Sequence, residues 1–374
     1  MAKAIRVLHV FDHLGLGGAE TMIMNLYRHL DPQKILVDFL VHTQEKAAYD
    51  DEVLRSGSNI HRIIKYNGLN HVSYKRAWHK LLVSHPHYDI VHSHLRSNAS
   101  IFLPIIRSKG IQTIVHSHNT STGRGLKSVF KRYLQKNLEQ KTDYMIGCSE
   151  KASRWLFGED ALKSSRHIVL RNGIETTKYQ FNEMFRDSLR KQYGISQNHV
   201  VFGSVARFQP QKNHSFMIDI FEAYVQSNPK SFLVLIGNGE LKEAIKKDVQ
   251  RRGLAEHIVF VDATTKAYEY YSMMDVFLMT SIHEGLPLTL IEAQTNALPI
   301  LTSDVVDETV KITPIVHFCS LNDTLNQWVT LMDSLKDKRV TMRPQTIIDA
   351  GYDTSSTAKQ LTQFYQYIMS QKSY

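Results

Sequence analysis

The run Val200-Val201-Phe202-Gly203-Ser204-Val205-Ala206 leads into a helical stretch, His214–Ser227, and then into a second apolar run, Ser231-Phe232-Leu233-Val234-Leu235-Ile236. Both runs are apolar almost throughout, without the strict alternation of a strand that has one wet face. Such runs separated by a helix are the mark of parallel strands covered on both sides. Further strands are expected at Ile258–Val261, Val276–Met279 and Pro299–Thr302, with helices at Leu241–Arg252, Lys266–Met274 and Pro287–Asn296. The same grammar governs the first half. Strands are expected at Ile5–Phe11, Val37–His42, Tyr88–His92, Gln112–His116, Tyr144–Cys148 and His167–Leu170, and helices at Ala19–Leu30 and Leu126–Lys141. The fold class is therefore α/β, with two doubly wound, Rossmann-like parallel-sheet domains. A chain of 374 residues suits two such domains. The join falls in the polar stretch Asn172–Phe181, which divides the chain into 1–178 and 179–352. Asp353–Gln371 closes the chain as a helix with Leu361, Phe364, Tyr365 and Ile368 on one face.

The charge is divided unevenly. Residues 1–180 carry 26 basic and 15 acidic side chains, a net of +11, while the remainder carries 19 and 21. Fourteen of the 19 histidines also lie in the first 180 residues. Anything attracted by bulk positive charge is expected to meet the first domain. Hydrophobic content of 43% excludes wholesale disorder. Two distant cysteines, Cys148 and Cys319, suit a reducing compartment rather than a disulfide scaffold. The opening residues run into a glycine-rich turn, unlike a signal peptide, and no stretch is long and apolar enough to span a bilayer.

Ligands of open parallel sheets bind beyond the carboxyl ends of the strands, so the loops there carry the chemistry. The first is His13-Leu14-Gly15-Leu16-Gly17-Gly18-Ala19-Glu20, which reads either as a tight turn or as a phosphate cradle at a helix N-terminus. It is not a dinucleotide fingerprint. In the second, Arg207 and Lys212 offer two cations, read as solvated surface charge or as a diphosphate clamp. The third is Ser281-Ile282-His283-Glu284-Gly285-Leu286-Pro287-Leu288-Thr289-Leu290-Ile291-Glu292-Ala293. Here Pro287 suits the first turn of a helix, and Glu292 falls inside that otherwise apolar helix. A carboxylate there must be bonded, to a structural partner or to a polar ligand.

Glu-Gly-Leu-Pro-Leu-x-Leu-x-Glu-Ala at 284–293 resembles the E-x7-E signature of retaining GT-B glycosyltransferases. With the Gly-Gly-Ala-Glu loop, the Arg207 and Lys212 pair, and the segments Asn172-Gly173-Ile174, Gly237-Asn238-Gly239 and Tyr271–Val276, the chain resembles glycosyltransferase family 4 over nearly its whole length, closest to the EpsF-like exopolysaccharide and capsule branch. The resemblance implies two domains facing a central cleft, the first completed by the terminal segment 353–374. It implies transfer of a sugar, with retention, from a nucleotide-diphosphate sugar (a UDP-sugar) to a growing lipid-linked oligosaccharide.

The resemblance also implies roles. Arg207 and Lys212 would hold the diphosphate, Glu292 the ribose and Glu284 the donor sugar. The N–H groups of Gly285, Leu286, Pro287 and Leu288 (Pro287 through its neighbours, having no N–H of its own) would face phosphate, with Gly17 and Gly18 in the first domain contributing to the donor site. Asp262-Ala263-Thr264 corresponds to the segment near the base; glycine is usual where Asp262 stands, which leaves the base contact at Ala263 open. His118 corresponds to the family's active-site histidine, although His116 in the same His-Ser-His motif is an alternative match. Catalysis would thus fall to Glu284, His118, Arg207 and Lys212, without cofactor or metal. The pairs His85/His87, His92/His94 and His116/His118 have ligand-like spacing, but no cysteine accompanies them and carboxylates are sparse nearby.

The segment Leu126–Lys141 interleaves Arg124, Lys127, Lys131, Arg132, Lys136 and Lys141 with Leu126, Val129, Phe130, Tyr133, Leu134 and Leu138. The expectation is an amphipathic helix with its apolar face on the sheet and its basic side toward an anionic membrane, which would make the protein cytoplasmic and peripheral to the inner membrane face. Three competing readings are a nucleotide-sugar 2-epimerase of the same fold, a nucleic-acid-binding module and an inactive partner subunit. The E-x7-E block opposes the first, the lack of any nucleic-acid motif the second, and the filled set of donor positions the third.

Overall fold

The computed structural model describes residues 3–118 and 126–372, without the side chains of 126–128. The chain forms two compact units, 1–173 with 354–374, and 174–353. The expected join at 178/179 therefore lies inside the second unit. The reason is local: the Ile174 N–H donates to Tyr352 O at 2.8 Å, and Thr176 Oγ1 donates to Asp353 Oδ1 at 2.7 Å. Residues 174–176 are thus tied to the segment by which the chain leaves this unit.

The first unit holds a seven-stranded parallel sheet: β1 Ile5–Phe11, β2 Ile35–Val41, β3 Ile60–Arg62, β4 Ile90–Ser93, β5 Gln112–Ser117, β6 Tyr144–Gly147 and β7 His167–Val169. Their order is β3-β2-β1-β4-β5-β6-β7. Side chains alternate across the sheet as the pleat requires. Leu8 and Val10 pack with Trp78 and Phe102 on one face; Val7 and Phe11 pack on the other with Leu361, Phe364, Tyr365 and Ile368 of the terminal helix Thr354–Gln371.

The second unit holds β8 Val200–Val205, β9 Ser231–Ile236, β10 Ile258–Val261, β11 Val276–Met279, β12 Ile300–Ser303 and β13 Val316–Cys319, in the order β10-β9-β8-β11-β12-β13. A network centred on Asp275 locks the helix Glu183–Gln192 to this sheet. The Asp275 carboxylate accepts from Arg186 Nη2 and Arg190 Nη2, both at 2.7 Å, and from the Val201 N–H at 2.8 Å. The Arg190 side chain is 1% exposed, and its remaining donors reach the carbonyls of Met273, Ser196 and His199.

Several expectations change. β3 and β13 were not among the expected strands. The single helix expected over Leu126–Lys141 is two, Leu126–Gln135 and Leu138–Lys141, broken where Asn137 takes a left-handed φ of 57°. The apolar face expected on the sheet is turned outward: Val129, Phe130 and Tyr133 are 55, 49 and 73% exposed, whereas Leu138 beyond the break is buried. Pro287 precedes the helix Leu288–Thr295 as its cap and is not in its first turn. Among the described residues no helix is long and apolar enough to cross a membrane.

Candidate functional site

In each sheet the strand order reverses once, between β1 and β4 and between β8 and β11. Loops leaving two such neighbours diverge to opposite faces and open a crevice. Both crevices hold residues expected from the sequence.

At the β8/β11 reversal the loops are stitched together. The Ile282 N–H donates to Gln211 O at 2.9 Å, Gln211 Nε2 to His283 O at 2.6 Å, and Thr280 Oγ1 to Asn213 O at 3.0 Å. Lys212 and Glu284 meet as a result. Lys212 Nζ donates to Glu284 Oε1 at 2.5 Å, and Ser281 Oγ donates to the same oxygen at 2.6 Å. The two side chains are 21 and 6% exposed, so this pair is well shielded from water. Arg207 is exposed on the loop after β8. That loop is packed from below by Gly237, whose φ is 149°; a Cβ there would lie 2.0 Å from Ala206 O, which only glycine avoids.

Gly285 is exposed, Leu286 and Leu288 are half-buried, and no side chain caps the helix Leu288–Thr295. Its first N–H groups therefore keep their partial positive charge for an anion. Glu292, inside that helix, accepts from Tyr271 Oη at 2.5 Å, and Tyr179 also hydrogen-bonds to it. Burial raises the Glu292 pKa, and the two phenols counter that rise. Ala263 lies on an exposed loop after the edge strand β10, two strands from β8, so the fold does not bring it to the Lys212–Glu284 pair. Beside it Asp262 is held by Lys242 Nζ at 2.7 Å, a buried lysine that also donates to the carbonyls of Gly237 and Val261.

At the β1/β4 reversal lies a cleft of about 480 Å³ lined by Asp12, His13, Gly18, Ala19, Glu20, His94, Arg96, His118 and Asn172, among others. His118 lines this cleft, whereas His116 is fully buried behind it. Gly18 faces open space, and a Cβ at Gly17 would meet only the movable carboxylate end of Glu20.

Behind the cleft stand five neutral imidazoles. Burial, with the charge of neighbouring histidines or of Arg96, holds His9 and His118 down to about 3 and His92, His94 and His116 well below the usual range. One nitrogen from each of His94, His116 and His118 lies within 4.8 Å of the others, as does one from each of His9, His92 and His94. Within the first trio His116 stacks on His118 with centroids 4.0 Å apart, and His116 also stacks on His92 at 5.4 Å.

Sequence reasoning missed Ser281, Tyr271, Tyr179, Lys242 and Tyr365, the last of which bonds to this histidine cluster. Only Ser281, three residues before Glu284, lies close enough in sequence to have been suspected.

The sequence places these two sites among known proteins. Residues 16–178 match the family profile described as Glycosyltransferase Family 4, and residues 185–312 the one described as Glycosyl transferases group 1. EpsF of Bacillus subtilis, named as a glycosyltransferase, is 30% identical over 373 residues, spanning 96% of each chain. The chain belongs to glycosyltransferase family 4. A capsular polysaccharide biosynthesis glycosyltransferase of Staphylococcus aureus, CapH, is 23% identical over 80% of this chain and 82% of its own. An Escherichia coli UDP-Gal:alpha-D-GlcNAc-diphosphoundecaprenol alpha-1,3-galactosyltransferase is 26% identical over 58% of each chain. Among solved structures, Anabaena HepE in complex with UDP superposes with a TM-score of 0.77 at 14% identity, covering 96% of this chain and 99% of its own. A glycosyltransferase from Rickettsia africae reaches 0.80 at 14% identity, covering 98 and 99%. This likeness shows the GT-B fold in both units of this family member.

Proposed function

We propose that this glycosyltransferase moves a sugar, with retention and without a metal, from a UDP-sugar to a growing, lipid-linked oligosaccharide in exopolysaccharide or capsule synthesis. The observation that carries the reading is the Lys212–Glu284 pair at the β8/β11 reversal, 2.5 Å apart and backed by an uncapped helix N-terminus. Without donor, Glu284 gives Lys212 an anionic partner. With donor, the diphosphate takes over the ammonium, together with Arg207 and the first N–H groups of the helix, and these charges stabilise the phosphate as it leaves. Glu284 then turns its carboxylate to the sugar hydroxyls, and Glu292, held by its two tyrosines, accepts from the ribose. The leaving phosphate assists the incoming hydroxyl on the same face of the sugar. No pair of carboxylates spaced for double displacement is invoked.

In the first-unit cleft the neutral imidazole of His118 exchanges hydrogen bonds with a sugar hydroxyl without adding charge. The UDP choice draws support from HepE, solved with UDP and with UDP-glucose, and the lipid-linked acceptor from the E. coli relative's diphosphoundecaprenol substrate. Membrane contact at the inner face draws support from the helix Leu126–Gln135, where exposed Val129, Phe130 and Tyr133 stand among exposed Lys131 and Arg132, with Lys136 just beyond. Wedge-like apolar side chains among cations suit an anionic interface.

The test is a transfer assay with a panel of UDP-sugars and a lipid-linked acceptor fraction. Labelled sugar entering the lipid fraction supports the reading. Consumption of the nucleotide sugar with no acceptor present would point instead to the 2-epimerase.

A further inference from the structure

The imidazoles behind the first-unit cleft form a continuous hydrogen-bonded chain that ends on the terminal helix. His118 Nε2 lies 2.8 Å from His94 Nδ1, and His94 Nε2 lies 2.8 Å from His9 Nδ1. His9 Nε2 lies 3.2 Å from Tyr365 Oη, which lies 2.7 Å from His92 Nδ1. Ring centroids are 5.1 Å apart at both imidazole–imidazole joints, the spacing of rings joined end to end through their nitrogens. Tyr365 is fully buried, and His9 and His94 are 1 and 8% exposed.

A neutral imidazole has one N–H and one lone pair, so each ring in such a chain must donate at one end and accept at the other. A single phenolic proton therefore dictates every tautomer. If Tyr365 donates to His92, it accepts from His9 Nε2–H. His9 Nδ1 is then a lone pair that takes His94 Nε2–H, and His94 Nδ1 takes His118 Nε2–H. His118 is left with a lone pair on Nδ1. If Tyr365 donates to His9 instead, every tautomer inverts and His118 Nδ1 carries a proton. The two contacts of Tyr365 favour the first case. Hydroxyl donors on average make shorter hydrogen bonds than N–H donors, so the 2.7 Å contact fits Tyr365 O–H donating to His92 and the 3.2 Å contact fits His9 N–H donating to Tyr365. Among the described residues His118 Nδ1 is buried without a hydrogen-bond partner, on a ring that lines the cleft.

We propose that Tyr365 is a positioning residue that, through His9 and His94, fixes His118 as the Nε2–H tautomer and keeps Nδ1 as an acceptor for a substrate hydroxyl. The chain is not a route for proton export. A proton entering at His118 would end on His92, whose Nε2 is buried without a partner among the described residues. The substrate part of this inference rests on the role proposed above for His118; the tautomer part does not.

The experiment is long-range 15N–1H correlation on the full chain labelled in histidine, with kinetics on the same samples. The wild type is expected to show His118 as a single Nε2–H tautomer. In Tyr365→Phe, which keeps the ring and loses only the hydroxyl, His118 is expected to become a mixture. Its kcat should fall in proportion to the Nε2–H fraction lost, about twofold for an even mixture, with the donor KM unchanged. Nδ1–H at His118 in the wild type overturns the inference without any variant having to fold. So does an unchanged His118 spectrum in Tyr365→Phe. If the tautomer responds to Tyr365 but no nucleotide sugar is used by the wild type, it is the proposed function that fails.

Discussion

Lys212 holds its ammonium 2.5 Å from Oε1 of Glu284, although the two residues lie on loops that follow different strands, 72 positions apart in sequence. The pairing exists because β8 and β11 are neighbours across the one reversal in their sheet. Replacing Lys212 by Ala removes the cation proposed for the diphosphate and leaves Glu284 shielded with, among the described residues, Ser281 as its remaining hydrogen-bond partner. A loss of kcat of about 10²–10³-fold is expected. Steady-state assays of Lys212→Ala with the preferred donor check it, and an unchanged kcat contradicts it.

The Asp275 network should bear on stability alone. Arg190 is buried and bonded at every donor, so Asp275→Ala strands two guanidinium groups, one of them almost without solvent. Removing one partner of a buried pair costs about 3–5 kcal/mol. At about 2–4 °C per kcal/mol for a domain of this size, the second unit should melt about 10 °C lower. Calorimetry of the full chain reads this directly. A shift under about 2 °C would mean that the network is replaceable by water.

Acid should destabilise the first unit in a defined window. His9 and His118 are held down to about 3 and His42 to about 4 by burial, against an ordinary value of 6.5. Between those values the unfolded chain binds protons that the folded chain refuses. Stability from these groups is therefore complete above about pH 6.5 and is lost progressively as pH falls to about 4 for His42 and about 3 for His9 and His118. Denaturant unfolding at pH 7.5, 6 and 5 of the Trp328→Phe chain, whose remaining tryptophans Trp78 and Trp155 both lie in the first unit, should show falling midpoints in the near-UV signal. A midpoint that is flat or rises on acidification contradicts the assignment.

The outward face of the helix Leu126–Gln135 should govern vesicle binding. Each basic side chain near an anionic surface contributes about 1 kcal/mol. Reversing Lys131, Arg132 and Lys136 to Glu should abolish co-sedimentation with anionic vesicles at low salt, and Phe130→Ser with Tyr133→Ser should weaken it. Sedimentation that survives both changes removes this helix as the contact.

Much of this was legible in the sequence because buried parallel strands advertise themselves as apolar runs, and because ligand loops must follow them. The runs at β1 and β8 led directly to the loops of Gly18 and Lys212. Three features were hidden for separate physical reasons. The outward face of Val129, Phe130 and Tyr133 lies on a helix that ends before a left-handed Asn137, a break no hydrophobic period records. The tyrosine partners of Glu292 come from distant elements. The histidine chain depends on register: His9 pairs with His92 across β1 and β4, and Tyr365 arrives from a helix 273 positions beyond His92. The doubled His-Ser-His motif suggested ligand spacing, whereas alternate residues of neighbouring strands instead set rings end to end.

Thermal shift of the full chain with a panel of nucleotide sugars reads whether the second unit binds a nucleotide-diphosphate sugar through Lys212 and Glu292. A ligand at 100 times its Kd adds about 2.7 kcal/mol, or about 5–10 °C for a domain of this size. At least one UDP-sugar is expected to raise the melting temperature by that amount, and Lys212→Ala and Glu292→Ala are each expected to erase the rise. A panel in which no nucleotide sugar moves the wild type, or a shift that persists undiminished in both variants, would contradict that binding.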